Sequence, residues 1–380
     1  MKKVIIAIDA TSIVNTGGFT HLYNLIENFD LKFHPDIKEI VIYSSKSVLE
    51  KLPNHDFITK RSHFFLNRGK VMRLFFQLYI LDFSLRKNKV NILLSTAGDY
   101  VGSFKPYVGI SQNMLLYEKR FWKEIRVIKE KAKLLINHKR QKKCFESAAG
   151  IIFISNYARN YITNELNINK IPSKVIHHGI APYFINQQPN KLKHKINKGK
   201  TLKFIYVSTV HVYKNQWNVI DAVWKLRQDG VKVTLTLVGP VIYKPSGKRL
   251  FSKMRERDPK GEFINYIPQV SHDKLPLQFS KHHAVIYASS CENMPNILIE
   301  SMASGLPIAC SDKQPMPEFL KDGGYYFNAN SVDSIKKAII NLIEDNYSSR
   351  KIKQNLNEIR SLKWEETSKK TFNFITKLTK

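Results

Sequence analysis

The sequence lacks most of the features that mark secreted, metal-binding or membrane-spanning proteins. Its 380 residues include three cysteines, Cys144, Cys291 and Cys310, whose number and spacing fit neither a disulfide framework nor a metal site. No apolar run reaches the ~20 residues of a membrane-spanning helix. The run at Val4–Ile8 is also too short for a signal peptide. The sequence therefore predicts a cytoplasmic protein with reduced thiols and no membrane-spanning helix.

Acidic residues are scarce relative to basic ones. The chain has 31 Asp and Glu against 61 Lys and Arg, which gives a formal net charge of +30. Such a charge favours an anionic partner: a nucleic acid, an acidic membrane face or a phosphorylated substrate. A bias in base composition is an alternative, because the chain is also rich in Asn and Ile. No zinc-ligand spacing, helix-turn-helix or RNA-binding motif accompanies the charge, so we expect no nucleic-acid partner.

Short apolar runs alternate with longer helical patterns through both halves of the chain. The runs include Val4–Ile8, Ile40–Tyr43, Phe204–Val207, Val233–Val238 and Ala284–Ala288. Continuous apolar strands separated by helices are typical of parallel sheets covered on both faces. The sequence therefore predicts an α/β protein with two doubly wound, Rossmann-like lobes.

The boundary between the two lobes is predicted in the segment Pro182–Lys203, which is rich in lysine and poor in apolar residues. We expect an N-terminal lobe at residues 1–182 and a C-terminal lobe at residues 183–361. The last helical pattern, Trp364–Leu378, carries aromatic residues that need burial. Residues 362–380 are therefore expected to dock back on the N-terminal lobe.

The strongest motif is a strand, a loop and a helix between Ala284 and Pro307. Pro295 is expected at the first helical position, and Gly305 ends the helix. Ligands of open α/β sheets bind outside the carboxyl ends of the strands, so we expect Glu292 in that crevice. The helix N-terminus favours a phosphate. The backbone N–H groups expected to bind it are those of Asn296, Ile297 and Leu298.

A second carboxylate, Glu300, follows on the same helix, about 7–8 Å further along at ~1.5 Å per residue. This spacing allows one carboxylate to reach a sugar hydroxyl and the other to reach a ribose. A helix cap or a salt bridge to a neighbour is the alternative role for Glu300.

These residues resemble the retaining GT-B glycosyltransferases of family 4, the glycosyl transferases group 1. Glu292 and Glu300 match the E-x7-E signature, and the sequence ENMPNILIESMASGLPI around them reads like that family throughout. The segment Ile110–Glu118, ISQNMLLYE, is similar to members found in O-antigen and capsule assembly. The resemblance implies a GT-B fold. It also implies transfer of a hexose from a nucleotide-diphosphate sugar to a glycan or lipid-linked glycan acceptor in bacterial surface polysaccharide synthesis.

The resemblance implies a role for each matching residue. Glu292 would hold hydroxyls of the donor sugar, and Glu300 would bind the ribose of a GDP- or UDP-linked donor. Lys214 would neutralise the diphosphate, with an ordinary solvated lysine as the alternative. Gly17 and Gly18 match a glycine loop at which the backbone approaches the donor, although a plain turn explains them too.

Two segments depart from the family's pattern. Where many members carry an arginine before the lysine, this chain has Ser208, Thr209 and His211. We include Ser208 and His211 as donor-binding candidates, the latter able to supply charge only if protonated. The acceptor lobe's His-Asp pair is Gln112-Asn113, so Asn113 is expected to position the acceptor and no side-chain base is predicted. No Asp-x-Asp-like pair follows a strand, so we predict no essential metal and no cofactor besides the donor.

Positive charge is concentrated in Lys119–Lys143, where apolar residues recur at helical spacing. This stripe consists of Phe121, Ile125, Ile128, Ala132 and Leu135. A basic amphipathic helix is suited to an anionic membrane, and a helix docked on its own lobe is an equal alternative. Arg61–Arg86 is a second basic and apolar candidate. We therefore expect peripheral association of the N-terminal lobe with the inner face of the plasma membrane.

Another enzyme class is compatible with the same two-lobed architecture. A GT-B nucleotide-sugar epimerase would turn over the donor without any acceptor. A basic nucleic-acid-binding protein is the weaker alternative, since only the net charge suggests it.

Overall fold

The computed structural model describes residues 3–14, 17–186, 200–345 and 348–379. The chain divides into two compact units. Unit 1 comprises Met1–Tyr117, Lys129–Gly179 and Leu362–Lys380, and unit 2 comprises Glu118–Ile128 and Ile180–Ser361. Each unit is built on a parallel sheet with helices, which is the predicted Rossmann-like α/β class.

The sheet of unit 1 has seven parallel strands within the described residues, in the order β3-β2-β1-β4-β5-β6-β7. The strands are β1 (Val4–Asp9), β2 (Ile37–Tyr43), β3 (Ile58–Arg61), β4 (Ile92–Ser95), β5 (Tyr107–Ser111), β6 (Gly150–Phe153) and β7 (Ser173–Val175). In the centre, Ile6 of β1 pairs with Ile40 of β2 and Ile92 of β4, and all three are fully buried. The strand order reverses between β1 and β4.

The sheet of unit 2 has six parallel strands within the described residues, in the order β10-β9-β8-β11-β12-β13. The strands are β8 (Leu202–Val207), β9 (Val233–Val238), β10 (Ile264–Ile267), β11 (Ala284–Tyr287), β12 (Ile308–Ser311) and β13 (Tyr325–Phe327). Here the order reverses between β8 and β11. Such a reversal leaves a crevice at the carboxyl ends of the two strands, which is where open α/β sheets bind ligands.

The helices follow the strands along the chain. They are α1 (Gly17–Glu27), α2 (Lys46–Leu49), α3 (Lys70–Tyr79), α4 (Leu81–Lys87), α5 (Arg120–Glu124), α6 (Ile128–Glu146), α7 (Asn156–Leu166), α8 (Pro182–Asn186), α9 (Gln216–Gln228), α10 (Lys244–Arg257), α11 (Leu275–Ser280), α12 (Asn296–Ala303), α13 (Met316–Leu320), α14 (Val332–Glu344), α15 (Ser348–Ile359) and α16 (Trp364–Lys377). Within the described parts of the chain, none of these helices is long and apolar enough to cross a membrane.

The prediction of a single amphipathic helix across residues 119–143 is wrong. The chain leaves the helical conformation after α5, since Ile125 is extended and the amide of Arg126 donates to the hydroxyl of Tyr243 at 2.8 Å. Phe121 and Ile125 are buried, whereas Ile128 at the start of α6 is 84 % exposed. The expected stripe is therefore not one face: Phe121 and Ile125 are buried in unit 2, whereas Ile128 at the end of that segment and Leu135 in unit 1 are exposed.

The C-terminal helix α16 packs within unit 1. The hydroxyl of Ser368 donates to the carbonyl of Leu25 in α1 at 2.8 Å, and that of Thr367 donates to the carbonyl of His177 at 2.7 Å. The Trp364 ring stacks on His178 with the ring centroids 5.4 Å apart. These contacts hold α16 against α1 and against His177 and His178.

Candidate functional site

A cavity of about 330 Å³ lies in unit 2, at the carboxyl ends of β8, β9 and β11. This is the place where the strand order of the sheet reverses. Five of the predicted site residues line it, together with backbone from the loops that follow β8 and β9. Those five are Ser208, Lys214, Glu292, Asn296 and Ile297.

The ammonium of Lys214 and the carboxylate of Glu292 form an ion pair in this cavity. Nζ of Lys214 donates to Oε1 of Glu292, and the two side chains are 9 % and 15 % exposed. The same Nζ lies 4.9 Å from the ring centroid of Tyr213. Lys214 is thus a buried, paired cation and not a solvated surface lysine. An ammonium has three N–H donors, so two remain for other acceptors.

Two neutral donors also converge on Glu292. The hydroxyl of Tyr287 donates to Oε1 at 2.7 Å and that of Ser289 donates to it at 2.5 Å. Burial, with the nearby charge of Glu292, raises the pKa of Tyr287 well above its usual value, so this hydroxyl stays a donor. Three donors on one oxygen hold the carboxylate in a fixed orientation and leave Oε2 for other contacts.

The loop of Lys214 is held against the loop of Glu292 by buried hydrogen bonds. The side-chain amide of Asn215 donates to the carbonyl of Ala288 at 2.9 Å and to the hydroxyl of Ser290 at 3.1 Å. The hydroxyl of Tyr206 donates to the carbonyl of Lys214 at 2.6 Å. Because β8 and β11 are neighbours, these contacts bring the ends of both strands together across the reversal.

A glycine permits close approach of the loops that follow β8 and β9. Gly239, after β9, has a φ of +137°, and a Cβ built on it would lie 2.1 Å from the carbonyl oxygen of Ser208. A larger residue there would therefore push apart the loops after β8 and β9. Ser208 itself is engaged, since its hydroxyl accepts from the side-chain amide of Gln216 at 2.9 Å.

The helix N-terminus differs from its prediction in two details. Pro295 precedes α12 as its N-cap residue, and the helix starts at Asn296. The amide of Asn296 donates to the carbonyl of Met294 at 3.0 Å, so it is not available to a ligand. Ile297 lines the cavity, whereas Leu298 is fully buried. The first-turn amides that lack an intrahelical acceptor are therefore those of Ile297 and Leu298.

Glu300 lies one turn further along α12 and is almost completely buried. Oε1 accepts a hydrogen bond from Nε2 of His272 at 2.7 Å. Burial raises the pKa of Glu300, and His272 opposes that rise. Oε2 is also buried and has no hydrogen-bond partner among the described residues. The predicted alternative of a salt bridge to a neighbour is therefore present at Oε1, where His272 can pair with the carboxylate when protonated, and it leaves Oε2 unfilled.

His211 does not line the cavity. Its ring packs between two tyrosines, with centroids 4.8 Å from Tyr213 and 5.2 Å from Tyr243. Sequence reasoning missed one cation, Arg120. It lies in the segment Glu118–Ile128, which belongs to unit 2. Its guanidinium donates to the carbonyl of Ser290 at 2.9 Å and pairs with Glu118. No sequence signal near Lys214 indicates it, because Arg120 is almost a hundred residues away.

Three predicted site residues belong to unit 1. Gly17 and Gly18 form the first turn of α1, and a Cβ on Gly17 would meet no atom within 4 Å, so packing does not require a glycine there. The exposed side chain of Asn113 caps a short 3-10 helix, with its oxygen accepting from the amide of Leu115 at 3.1 Å. Their roles toward donor and acceptor stay predictions.

The residues that the structure describes contain no group of three or more His, Cys, Asp or Glu able to hold a metal ion. The three cysteines are buried free thiols. Around the cavity the arrangement offers a cation, a carboxylate and a helix N-terminus, and a second carboxylate, Glu300, lies one helical turn further along α12.

Part of the chain matches a known family. Residues 187–358 match the family model described as Glycosyl transferases group 1. O-antigen chain mannosyltransferase B of Escherichia coli is 26 % identical over 172 residues, which is 44 % of each protein. The glycosyltransferase MJ1069 of Methanocaldococcus jannaschii is 26 % identical over 91 % of each chain.

Solved structures resemble the chain over nearly its whole length. A glycosyltransferase from Rickettsia africae is 13 % identical, with a TM-score of 0.71 and 100 % of both chains covered. Anabaena HepE, solved with UDP and glucose, is 15 % identical, with a TM-score of 0.69 and 98 % of this chain and 100 % of that chain covered. These likenesses show the fold, which is that of GT-B glycosyltransferases.

Proposed function

Since the chain is a transferase enzyme with a Glycosyl transferases group 1 domain at residues 187–358, we propose that it transfers a hexose, with retention of configuration, from a nucleotide-diphosphate sugar to a glycan or lipid-linked glycan. The observation that carries the proposal is the Lys214–Glu292 ion pair beside the N-terminus of α12 in the cavity of unit 2. One cavity thus offers a cation, N–H donors and a carboxylate, which are the groups that a sugar diphosphate needs.

Lys214 and α12 are proposed to bind the diphosphate. Two N–H donors of Lys214 remain after its bond to Glu292, and the first turn of α12 adds backbone donors and the positive end of its dipole. When the sugar departs, negative charge grows on the nucleoside diphosphate. Fixed donors in a buried site stabilise that charge most strongly in the transition state.

Glu292 is proposed to hold the donor sugar. Its Oε1 is occupied by three donors, so its Oε2 is the oxygen that would accept from a sugar hydroxyl. In this proposal the leaving phosphate oxygen takes the proton of the acceptor hydroxyl. The new glycosidic bond then forms on the face from which the diphosphate leaves, and the configuration is retained. Such a mechanism requires neither a side-chain base nor a metal ion.

Mannose is the hexose that the relatives favour. O-antigen chain mannosyltransferase B of Escherichia coli and O-antigen chain mannosyltransferase RfbU of Salmonella typhimurium both carry this activity in their names, and RfbU is 33 % identical over 79 residues. Anabaena HepE was solved with UDP and glucose, so the base of the donor stays open between GDP and UDP. These names also support a role in surface polysaccharide synthesis.

The donor assignment is tested by the affinity of nucleotides for the whole chain. GDP, UDP, GDP-mannose and UDP-glucose should be screened by thermal shift, because a ligand of the folded state raises Tm. For the nucleotide that binds, Glu300→Ala should weaken the binding free energy by about 1–3 kcal/mol, because the change removes a buried hydrogen-bond acceptor. Asp333→Ala, at an exposed pair with Lys225, is the control. Unchanged affinity in the Glu300 variant would contradict the assignment, and turnover of the donor sugar without an acceptor would favour an epimerase.

We also propose peripheral association with an anionic membrane through unit 1. The supporting surface lies on and before α3 and α4, where Phe64, Val71, Tyr79 and Phe83 are each at least 60 % exposed. The Arg68 guanidinium lies 4.5 Å from the centroid of the Phe64 ring. Exposed aromatic rings with cations beside them suit the interface of an anionic bilayer. Exposed lysines of α6 add positive charge.

Vesicle binding tests this second proposal. The chain should sediment with vesicles that contain phosphatidylglycerol at low salt, be released as salt rises, and bind phosphatidylcholine vesicles weakly. Charge reversal at the exposed Lys129, Lys133 and Lys139 of α6 should reduce binding, because each lysine near the leaflet contributes ~1 kcal/mol. An equal charge reversal in unit 2, at Lys232, Lys260 and Lys281, is the matched control. Equal losses of vesicle binding in both triple variants would show that net charge, and not a surface of unit 1, causes the binding.

A further inference from the structure

The carboxylate of Glu300 has one satisfied and one unsatisfied oxygen. Oε1 lies 2.7 Å from Nε2 of His272, whereas Oε2 is buried without a hydrogen-bond partner among the described residues. The side chain is 9 % exposed, so water access to it is restricted. Buried polar atoms are almost always hydrogen-bonded, because an unsatisfied one destabilises the fold. The missing partner of Oε2 is therefore to be sought in a ligand.

His272 is itself held from α8. The hydroxyl of Tyr183 is hydrogen-bonded to Nδ1 of His272, and the Phe184 ring meets the imidazole edge-on with centroids 5.2 Å apart. Both ring nitrogens are thus engaged, one by Tyr183 and the other by Glu300. This fixes the orientation of the ring although the side chain is 44 % exposed.

The pair borders the cavity of unit 2. Val270 and Leu275, which flank His272 in the sequence, line that cavity. Asn296 and Ile297, one helical turn before Glu300, line it too. Glu300 is therefore one turn of α12 away from the proposed phosphate site.

We propose that His272 is a positioning residue for the donor nucleotide: it fixes Oε1 of Glu300 so that Oε2 accepts hydrogen bonds from the cis-diol of the ribose. The inference rests on the proposed function, because it takes a nucleoside diphosphate as the ligand. A carboxylate oxygen has two lone pairs and can therefore accept from both ribose hydroxyls.

The charge of His272 tunes this arrangement. Burial lowers the pKa of His272, but the hydrogen bond and negative charge of Glu300, together with Asp273, outweigh burial and leave the pKa above its usual value. The groups that face the ring are Glu300 from α12, Tyr183 from α8 and Asp273 beside it. A protonated ring holds the carboxylate most firmly. As pH rises through the histidine pKa, the contact weakens but persists, since Tyr183 can donate to Nδ1 and keep the proton on Nε2.

The experiment measures the affinity of GDP and UDP, and of their 2′-deoxy forms, by calorimetry with the full chain. For whichever of GDP and UDP binds, His272→Ala should lower the affinity for the ribonucleotide by about tenfold. It should lower the affinity for the 2′-deoxy form by less than about twofold. His272→Gln keeps an N–H donor, so it should restore most of the affinity and flatten the pH profile from about pH 6 to about pH 9. His55→Ala, in unit 1, is the control.

Tyr183→Phe provides a second variant that keeps the histidine and the helix. It should weaken the ribonucleotide by about two- to threefold, mostly at alkaline pH, where the tyrosine proton fixes the tautomer. An equal loss for ribose and deoxyribose forms, or unchanged affinity in both His272→Ala and Tyr183→Phe, would overturn the role of His272. If the wild-type chain binds neither GDP nor UDP, the proposed function fails and this inference fails with it.

Discussion

The two sheets of the chain use the same architectural position in different ways. In unit 2, the strand order reverses between β8 and β11, and Lys214 and Glu292 follow those strands beside a cavity. In unit 1, the order reverses between β1 and β4, and Asp9 ends β1. Both reversals therefore carry ionisable residues. What distinguishes them is how many of the hydrogen-bonding positions the protein itself fills.

In unit 1 the protein itself fills both oxygens of the carboxylate at the reversal, although Nε of Arg140 in the same network is buried without a hydrogen-bond partner among the described residues. One oxygen of Asp9 accepts from the amide and hydroxyl of Thr11, and the other accepts from the side-chain amide of Gln77 at 2.7 Å. Arg140 donates to Gln77 at 2.9 Å and pairs with Asp99 at 3.1 Å. In unit 2, by contrast, Lys214 retains N–H donors and Glu300 retains a buried acceptor. The comparison indicates that Glu300 in unit 2 keeps a carboxylate oxygen for a ligand, whereas Asp9 in unit 1 does not.

Lys214→Ala should have the largest effect that this comparison predicts. Removal of the cation leaves Glu292 unpaired and takes N–H donors from the growing charge of the leaving diphosphate, so turnover should fall about 100- to 1,000-fold. Lys214→Arg should recover part of the rate, because guanidinium and ammonium differ in shape. Lys225→Ala, which removes an exposed lysine of unit 2, is the control. Transfer assays with the donor found by thermal shift give the measurement. Activity of Lys214→Ala within twofold of wild type would move the phosphate site elsewhere.

The sequence was sufficient to predict much of the fold and part of this site. The central strands are buried on both faces, so they appear as continuous apolar runs whose spacing predicts two doubly wound sheets. Lys214 and Glu292 each follow such a run, and this placement predicts that both lie at carboxyl ends of strands. Their pairing also needed the strand order, in which β8 and β11 are neighbours.

Contacts between distant residues could not be predicted. Helix formation stops at Ile125 where the next amide meets Tyr243, 117 residues away. His272 lies in a polar segment without local signal, and its role emerges only from its contact with Glu300 on α12. Arg120 likewise reaches the Glu292 loop from a part of the chain expected in the other lobe. In each case tertiary packing decides, and local periodicity carries no information about it.

Arg140→Ala should have the next largest effect, on stability and not on donor binding. The change leaves the carboxylate of Asp99 and the side-chain oxygen of Gln77 without their cationic donor in a mostly buried network. We expect the free energy of unfolding of unit 1 to fall by about 3 kcal/mol in urea titration. The affinity for GDP or UDP should not change, because the proposed donor residues all lie in unit 2. Lys142→Ala removes an exposed pair with Glu146 from the same helix and should cost less than about 0.5 kcal/mol. Equal free energies of unfolding of the two variants would show that the Arg140 network contributes no more to stability than an exposed ion pair.

Asp9→Asn should produce the smallest effect, and a pH profile should reveal it. Burial, reinforced by the charge of Asp99, raises the pKa of Asp9 to about 6 from 3.8. The folded state therefore binds this proton more tightly than the unfolded state. Its contribution to stability is complete below the unfolded pKa and is lost as pH rises through the folded one.

From about pH 5 to about pH 7, the wild-type free energy of unfolding should consequently fall by about 1 kcal/mol relative to Asp9→Asn. The amide does not titrate, so only the slope of the difference is informative, and any constant offset reflects altered hydrogen bonds to Thr11 and Gln77. Urea titrations of both proteins across this range give the slope. A difference that stays constant with pH would show that Asp9 keeps its charge throughout. The network of unit 1 would then hold a permanent carboxylate at Asp9.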